Sequence, residues 1–233
     1  MAEAMNQALD GGPEMHATGA SPVTVPPLVK VPEPTIERLS TYLQCVRSMG
    51  AAGVLTASSS EIAGRTGINA AQFRKDLSYF GEFGTPGLGY DVAELEAHLS
   101  RIMGLDRHHD MLLVGAGNLG SALSQYMGFD LRGFRIVAVF DADPAKIGKT
   151  LAGCEVRAMD EIAAVNAQVR AQIGVITVPG AAAQEVADKL VAAGVASILN
   201  FAPVALTVRS GVILRNVDLT SQLEVLSYYL RAQ

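Results

Sequence analysis

A strand-like run, Met111-Leu112-Leu113-Val114, is followed at once by Gly115-Ala116-Gly117-Asn118-Leu119-Gly120, and Ser121, Ala122, Leu123 and Tyr126 continue it as a helix. Strand, glycines and helix stand in the order that a dinucleotide-binding turn requires. The first glycine makes the tight turn, the second admits a pyrophosphate to the backbone, and the third lets helix and strand pack closely. The helix N-terminus adds amides and a favourable dipole. A second apolar strand, 135–140, ends at Asp141, about twenty residues further on, where an acid can bind ribose hydroxyls. Its charge favours NAD(H) over NADP(H), tempered by Arg135 before the strand and Lys146 after it.

Two more apolar strands, 173–178 and 195–199, flank a helix over 181–193, so strands and helices alternate as in a doubly wound parallel sheet. Thr177-Val178-Pro179-Gly180 and Asn200-Phe201-Ala202-Pro203 each follow a strand's carboxyl end, the ligand edge of such a sheet. Ordinary loop chemistry would produce the same strings. A catalytic set is harder to find. All four histidines (His16, His98, His108, His109) precede the glycine loop, and no Tyr-x-x-x-Lys pattern follows it. A dehydrogenase needs a general acid or base beside the nicotinamide and a domain to hold its substrate. The expectation is no catalytic residue and no metal site.

A second chemistry lies upstream. Ser58 stands three residues before Glu61 and Asn69 three before Gln72, two capping boxes separated by Gly67. Two short helices joined by a glycine turn make a helix-turn-helix, though any corner of two helices shows the same signal. Ala70, Phe73, Leu77 and Phe80 share one face of the second helix. The opposite face carries Ala71, Lys75, Ser78 and Tyr79, flanked by Gln72 and Arg74, donors suited to phosphates and base edges. A plain solvated face would look alike. Residues 31–90 hold five basic side chains (Arg38, Arg47, Arg65, Arg74, Lys75) and five acidic ones (Glu33, Glu37, Glu61, Asp76, Glu82). With Asp76 and Glu82 offsetting Arg74 and Lys75, the balance predicts modest, strongly salt-dependent affinity unless two copies act together. Four glycines and a proline in residues 81–90 then suggest a hairpin wing, with Phe83 and Tyr90 to pack it.

The elements that position these residues follow from pattern and composition. Of 233 residues, 49% are hydrophobic and 18% charged, enough for folded domains rather than a disordered chain. The net charge of −5 argues against general polyanion binding, so any nucleic-acid contact is local. Cys45 and Cys154 are too few for a disulfide framework or a four-cysteine metal site, and read as buried thiols in a reducing cytoplasm. No basic-then-apolar leader pattern opens the sequence. The uncharged run 190–208 approaches the length of a membrane span, but Gly194, Asn200 and Pro203 break it into helix end, strand and loop.

Residues 1–30, with four prolines and no apolar period, are expected to be a flexible tail. Ile36, Leu39, Leu43 and Val46 recur at helical spacing up to Gly50, and Asp91 opens a connecting helix through Leu95 and Leu99 to Met103. The expected divisions are a winged-helix domain over 31–104, a nucleotide domain over 105–214 and a C-terminal helix over 215–233. On that last helix Leu219, Leu223, Leu226 and Leu230 line one face, and Val225, Tyr228 and Tyr229 widen it. So much apolar surface calls for a partner, and a homodimer with exchanged helices supplies one. Packing within its own chain is the alternative.

Together these residues resemble the Rex family of redox-sensing transcriptional repressors from about Val31 to the C-terminus. The resemblance rests on Phe73-Arg74-Lys75-Asp76-Leu77-Ser78-Tyr79-Phe80-Gly81, Gly87-Leu88-Gly89-Tyr90, the glycine string 115–120, Ile198-Leu199-Asn200-Phe201-Ala202-Pro203 and Asn216-Val217-Asp218. It implies an N-terminal winged helix, a Rossmann-type parallel α/β domain and a C-terminal dimerisation helix. It implies Gln72, Arg74, Lys75, Ser78 and Tyr79 facing a palindromic operator, with Gly87 and Gly89 near the minor groove. It places Gly115, Ala116, Gly117, Asn118, Leu119 and Gly120 at the pyrophosphate and Asp141 and Lys146 at the adenosine. Thr177, Val178, Pro179, Asn200 and Phe201 would border the nucleotide, and Tyr126 the nicotinamide. Asp218 matches an acid that pairs with that tyrosine in the DNA-competent state. Thr85-Pro86 stands where the family wing commonly has basic residues, and Gln44 where its first helix usually has an arginine, with Arg47 almost one turn away.

The mechanism that this resemblance implies is competition between NADH and NAD+ as effectors, NADH closing the dimer so that its reading heads miss their half-sites. A small NAD-dependent oxidoreductase with an interaction domain, and a constitutive DNA-binding dimer with structural NAD, are the alternatives.

Overall fold

The computed structural model describes residues 31–85 and 87–231. The expected tail, 1–30, and Pro86 of the wing lie outside the described residues. The chain divides into two compact units, one ending at Tyr90 and the other starting at Asp91. The connecting helix therefore falls in the second unit, whereas the expected domain boundary stood at 104/105.

The first unit is built on three helices. Helix α1 (Glu33–Ala51) starts after Pro32 and has Pro34 in its first turn, where a missing amide hydrogen costs nothing. Leu39, Tyr42, Leu43, Val46 and Met49 are its buried stripe, while Ile36, expected in that stripe, is exposed. Strand β1 (Thr56–Ala57) leads to α2 (Ser59–Thr66), opened by the complete Ser58–Glu61 capping box and closed by Gly67 at φ 71°. Helix α3 (Ala70–Ser78) follows after Asn69. The second expected capping box is only half formed. Asn69 accepts from the Gln72 amide, but the Gln72 side chain turns inward to Asp76 instead of back to the cap. Phe73 is the hub of this unit, edge-on to Tyr42 at 4.8 Å and to Tyr90 at 5.3 Å. Tyr90 belongs to β2 (Tyr90–Asp91), which pairs with β1.

In the second unit, Asp91 caps α4 (Val92–Ile102) through the Glu94 amide, as its spacing predicts. Then come β3 (His109–Val114), α5 (Asn118–Ser124), β4 (Phe134–Asp141), β5 (Thr150–Leu151) and β6 (Cys154–Ala158). Helix α6 (Ile162–Val169), β7 (Ile173–Ile176), α7 (Gly180–Ala192), β8 (Ser197–Asn200), β9 (Ile213–Asn216) and α8 (Leu219–Leu230) complete it. The sheet order is β5-β6-β4-β3-β7-β8-β9, parallel except for the β5–β6 edge pair. Four consecutive residues of β3, Met111 to Val114, are buried because the strand has a core on each face. Leu112 and Val114 pack with Phe140 and Ile176 on one side, Met111 and Leu113 with Val139 and Val175 on the other. The order turns about β3, with β4 to one side and β7 to the other, which opens a crevice at the strands' carboxyl ends.

Among the described residues no helix is long and apolar enough to cross a membrane. The run 190–208 is instead the end of α7, strand β8 and a loop. Both cysteines are free and half-buried, and burial pushes each thiol above its ordinary value.

Candidate nucleotide cleft and nucleic-acid interface

A cleft of about 570 Å³ lies along the carboxyl ends of the central strands. The glycine loop forms its floor. Gly115 takes φ 106°, and a β-carbon there would stand 2.8 Å from Thr177. One on Gly120 would strike the Gly115 carbonyl oxygen, so the third glycine is what lets α5 approach β3. Nothing lies within 4 Å of the corresponding position on Gly117, which leaves its backbone open to a ligand. Thr177 braces the turn by donating its hydroxyl towards the carbonyls of Val114 and Gly115, at 3.0 and 2.8 Å.

Asp141 ends β4 at the cleft wall and is buried. Its carboxylate accepts from the Ala116 amide at 2.7 Å, the Asp143 amide at 2.8 Å and Lys146 Nζ at 3.0 Å. Burial opposes the charge, but the Asp143 and Ala116 amides and Lys146 outweigh it and hold the carboxyl below its ordinary value. The cleft edge therefore carries a fixed negative charge next to an ammonium.

Of the expected nucleotide residues, Gly115, Gly117, Leu119, Asp141, Lys146, Thr177, Val178, Pro179 and Phe201 line the cleft. Ala116, Asn118 and Gly120 belong to the same turn without lining it. Tyr126 lies beyond the end of α5, exposed and edge-on to Phe129, and Asn200 is buried behind the cleft wall. Pro203, from the string 200–203 at the ligand edge, lines it too, and so do Met159, Glu185 and Lys189, which were not expected there. The only sequence signal for Glu185 and Lys189 is their spacing of four on α7, which forms an ion pair at 2.9 Å. Asp218 caps α8 through the amides of Thr220 and Ser221, and no hydrogen bond joins it to Tyr126 within the chain.

In the first unit, α3 exposes Ala71, Arg74, Lys75 and Ser78, while Gln72 and Tyr79 are half-buried. Tyr79 follows the last helical residue. Arg74 donates to Ser59 Oγ at 2.7 Å, and the Ser78 hydroxyl returns to the Lys75 carbonyl. Asp76 does not offset these cations, because it is fully buried and bound to Arg38, Tyr42, Thr35 and Gln72. The exposed face is thus more basic than a sum along the sequence suggests. Beside it, the amides and carbonyls of Thr85 and Gly89 exchange hydrogen bonds at 2.8 and 3.0 Å, closing a hairpin with Gly87 and Leu88 at its tip. Gly89 sits so close to Ala57 that a β-carbon would stand 2.6 Å from its carbonyl oxygen. Gly87 meets nothing.

Both units match known protein families. Residues 30–78 match the family described as a putative DNA-binding protein N-terminus, and residues 106–204 the CoA binding domain. The redox-sensing transcriptional repressor Rex of Desulfitobacterium hafniense is 52% identical over 200 residues, covering 86% of this chain and 95% of that protein. Rex of Streptomyces coelicolor is 47% identical over 199 residues, 85% of this chain and 77% of that one. The chain belongs to the Rex family of redox-sensing transcriptional repressors. It is a Rex repressor rather than an enzyme, which sets aside the oxidoreductase alternative. The crystal structure of RSP in complex with beta-NAD+ and operator DNA matches with a TM-score of 0.83 at 37% identity, over 87% of this chain and 93% of that one. RSP in complex with beta-NADH matches at 0.81 and 35% identity, over 87% and 95%. The Rex fold thus holds an N-terminal DNA-binding helical unit, a Rossmann-like parallel α/β unit and a C-terminal helix.

Proposed function

We propose that this chain represses transcription as a cytoplasmic homodimer on a palindromic operator and releases the DNA when NADH replaces NAD+ in its cleft. The observation that carries the reading is a glycine-floored cleft with a charged Asp141 at its edge, in one chain with a basic helix-turn-helix face. Asp141 would accept from the ribose hydroxyls, and its charge would oppose the extra phosphate of NADP(H). The loop 115–120 would hold the pyrophosphate. Thr177, Val178, Pro179 and Phe201 would border the nicotinamide end.

Lys75 and Arg74 would meet phosphates and base edges, with Gln72, Ser78 and Tyr79 around them and the Gly87–Gly89 hairpin at the minor groove. Helix α8 supports the dimer. Leu219, Leu223, Leu226, Tyr228 and Leu230 are each more than half exposed in the single chain, a surface that water disfavours and a second copy would cover. Tyr126 and Asp218, separate within the chain, would form the switch across that interface.

NAD+ and NADH differ at the nicotinamide by a charge, a hydride and ring planarity, so discrimination has to begin there and appear as different affinities for two dimer shapes. About 3 kcal/mol of such difference changes operator affinity more than a hundredfold. The test is fluorescence anisotropy of a labelled palindromic operator, with saturating NADH or NAD+ at one fixed salt concentration. Release by NADH alone is expected. Equal operator affinity with either nucleotide would reject the sensor and leave a DNA-binding dimer with structural NAD.

A further inference from the structure

Asn200 closes β8 and is fully buried, and its side chain spends both polar atoms on the protein. Oδ1 accepts from the Ala202 amide at 3.0 Å. Nδ2 points towards three acceptors: the carbonyls of Ala202 at 3.2 Å and Val204 at 3.1 Å, and Asn216 Oδ1 at 2.9 Å. The Asn200 carbonyl accepts from the Val217 amide at 2.8 Å. One residue therefore ties together the end of β8, the loop 201–204 and the end of β9.

These segments lead to different places. Phe201 and Pro203 of the loop line the cleft. Asn216 ends β9, and two residues later Asp218 caps α8. Because β4 and β7 lie on opposite sides of β3, a dinucleotide with its ribose at Asp141 extends its other end over the loops after β7 and β8. The ring that differs between NAD+ and NADH then meets the 201–204 loop first. We propose that the Asn200–Asn216 side-chain pair is the relay that carries the state of that ring from the loop to the start of α8. This rests on the reading that NADH releases DNA.

A relay needs an element with two arrangements. The Asn200 amide has two N–H hydrogens and three acceptors in reach, so the loop carbonyls and Asn216 compete for them. A loop shift that strengthens one claim weakens another. The parallel β8–β9 backbone pairing, from Ser197–Ile213 to Asn200–Asn216, is made by main-chain atoms and does not depend on these side chains. Asn216 does not line the cleft and is thus a positioning residue for the switch.

The experiment compares Asn216→Ala, which removes one acceptor at the surface, with Asn216→Asp, which keeps it. For each full-length variant and the wild type, three quantities are read: NADH affinity, operator affinity without nucleotide, and the factor by which saturating NADH weakens operator binding. Asn216→Ala is expected to keep both affinities within about twofold, as surface substitutions do. Its NADH factor should fall by about tenfold or more, and Asn216→Asp should restore it. An undiminished factor in Asn216→Ala overturns the relay, and so does an equal loss in both variants. A wild type without any NADH effect sinks the sensor reading itself, a result separate from either.

Discussion

The Asp76 carboxylate of α3 is gripped by the Arg38 guanidinium of α1, Nε to Oδ2 at 2.6 Å and Nη2 to Oδ1 at 2.7 Å. Tyr42 Oη adds 2.8 Å to the same carboxylate, and Gln72 Nε2 another 2.8 Å. The helix that presents Lys75 to solvent is thereby fixed to the first helix by a buried charge. Such a pair is worth little against an apolar substitute, but breaking it strands a charge. Asp76→Ala should cost about 3 kcal/mol of stability, leaving the Arg38 and Tyr42 donors unmet. Urea denaturation of the full chain measures this, and a loss below about 1 kcal/mol would deny the clamp.

The same carboxylate predicts a pH dependence. Burial alone would oppose its ionisation and raise its pKa, but hydrogen bonds from Arg38, Tyr42 and Gln72 prevail and hold it below the ordinary value. A depressed acid contributes stability that is present above its unfolded value, about 3.9, and lost as pH falls through the folded one. Stability should therefore fall off below about pH 4, and less steeply in Asp76→Asn. Parallel acid limbs for the two proteins would show that other carboxylates govern the transition.

At the cleft, the Asp141 carboxylate accepts from the Ala116 amide of the glycine loop, and the proposed function would add the ribose hydroxyls. Asp141→Ala removes a charged acceptor and frees the Ala116 amide. NADH affinity should drop by about 1.5–3 kcal/mol, roughly ten- to a hundredfold, by fluorescence titration. Gly120→Ala acts differently, since its methyl would collide with the Gly115 carbonyl and push α5 away from β3. It should abolish nucleotide binding, while Gly117→Ala, with open space around it, should fold normally and lose affinity only.

The Lys75 ammonium has no ion pair or hydrogen bond among the described residues, and the residue is exposed. Lys75→Ala should weaken operator binding and reduce the slope of log affinity against log salt by about one per protomer. An unchanged slope would mean that Lys75 meets no phosphate. In α8, Leu223→Glu puts a charge on an apolar face that is exposed in the single chain. On the proposed function, sedimentation should show a dimer for the wild type and a monomer for this variant.

How much of this was legible depended on whether the signal was local. The glycine turn, Asp141 and the Ser58 cap obey short-range rules of spacing, and each takes the geometry that its spacing predicts. Asp76 was not legible, because its neighbours Arg74 and Lys75 mark a surface while its partner Arg38 lies 38 residues away. Ile36 fits the period of α1 yet stays exposed, and Tyr42 and Met49 are buried beside the named residues. Strands β6 and β9 are short and carry polar residues among their apolar ones, so no apolar run announced them. Asn200 sits in a string at the ligand edge, and only its contacts separate a wall brace from a ligand contact.

The central claim is that nucleotide and operator choose between two forms of one dimer, so each must change the other's affinity by the same factor. The most direct measurement is the NADH dissociation constant of the protein alone and of the protein saturated with operator. NADH should bind more weakly on the operator, by the factor with which NADH weakens operator binding. Identical NADH affinity in the two states would contradict it.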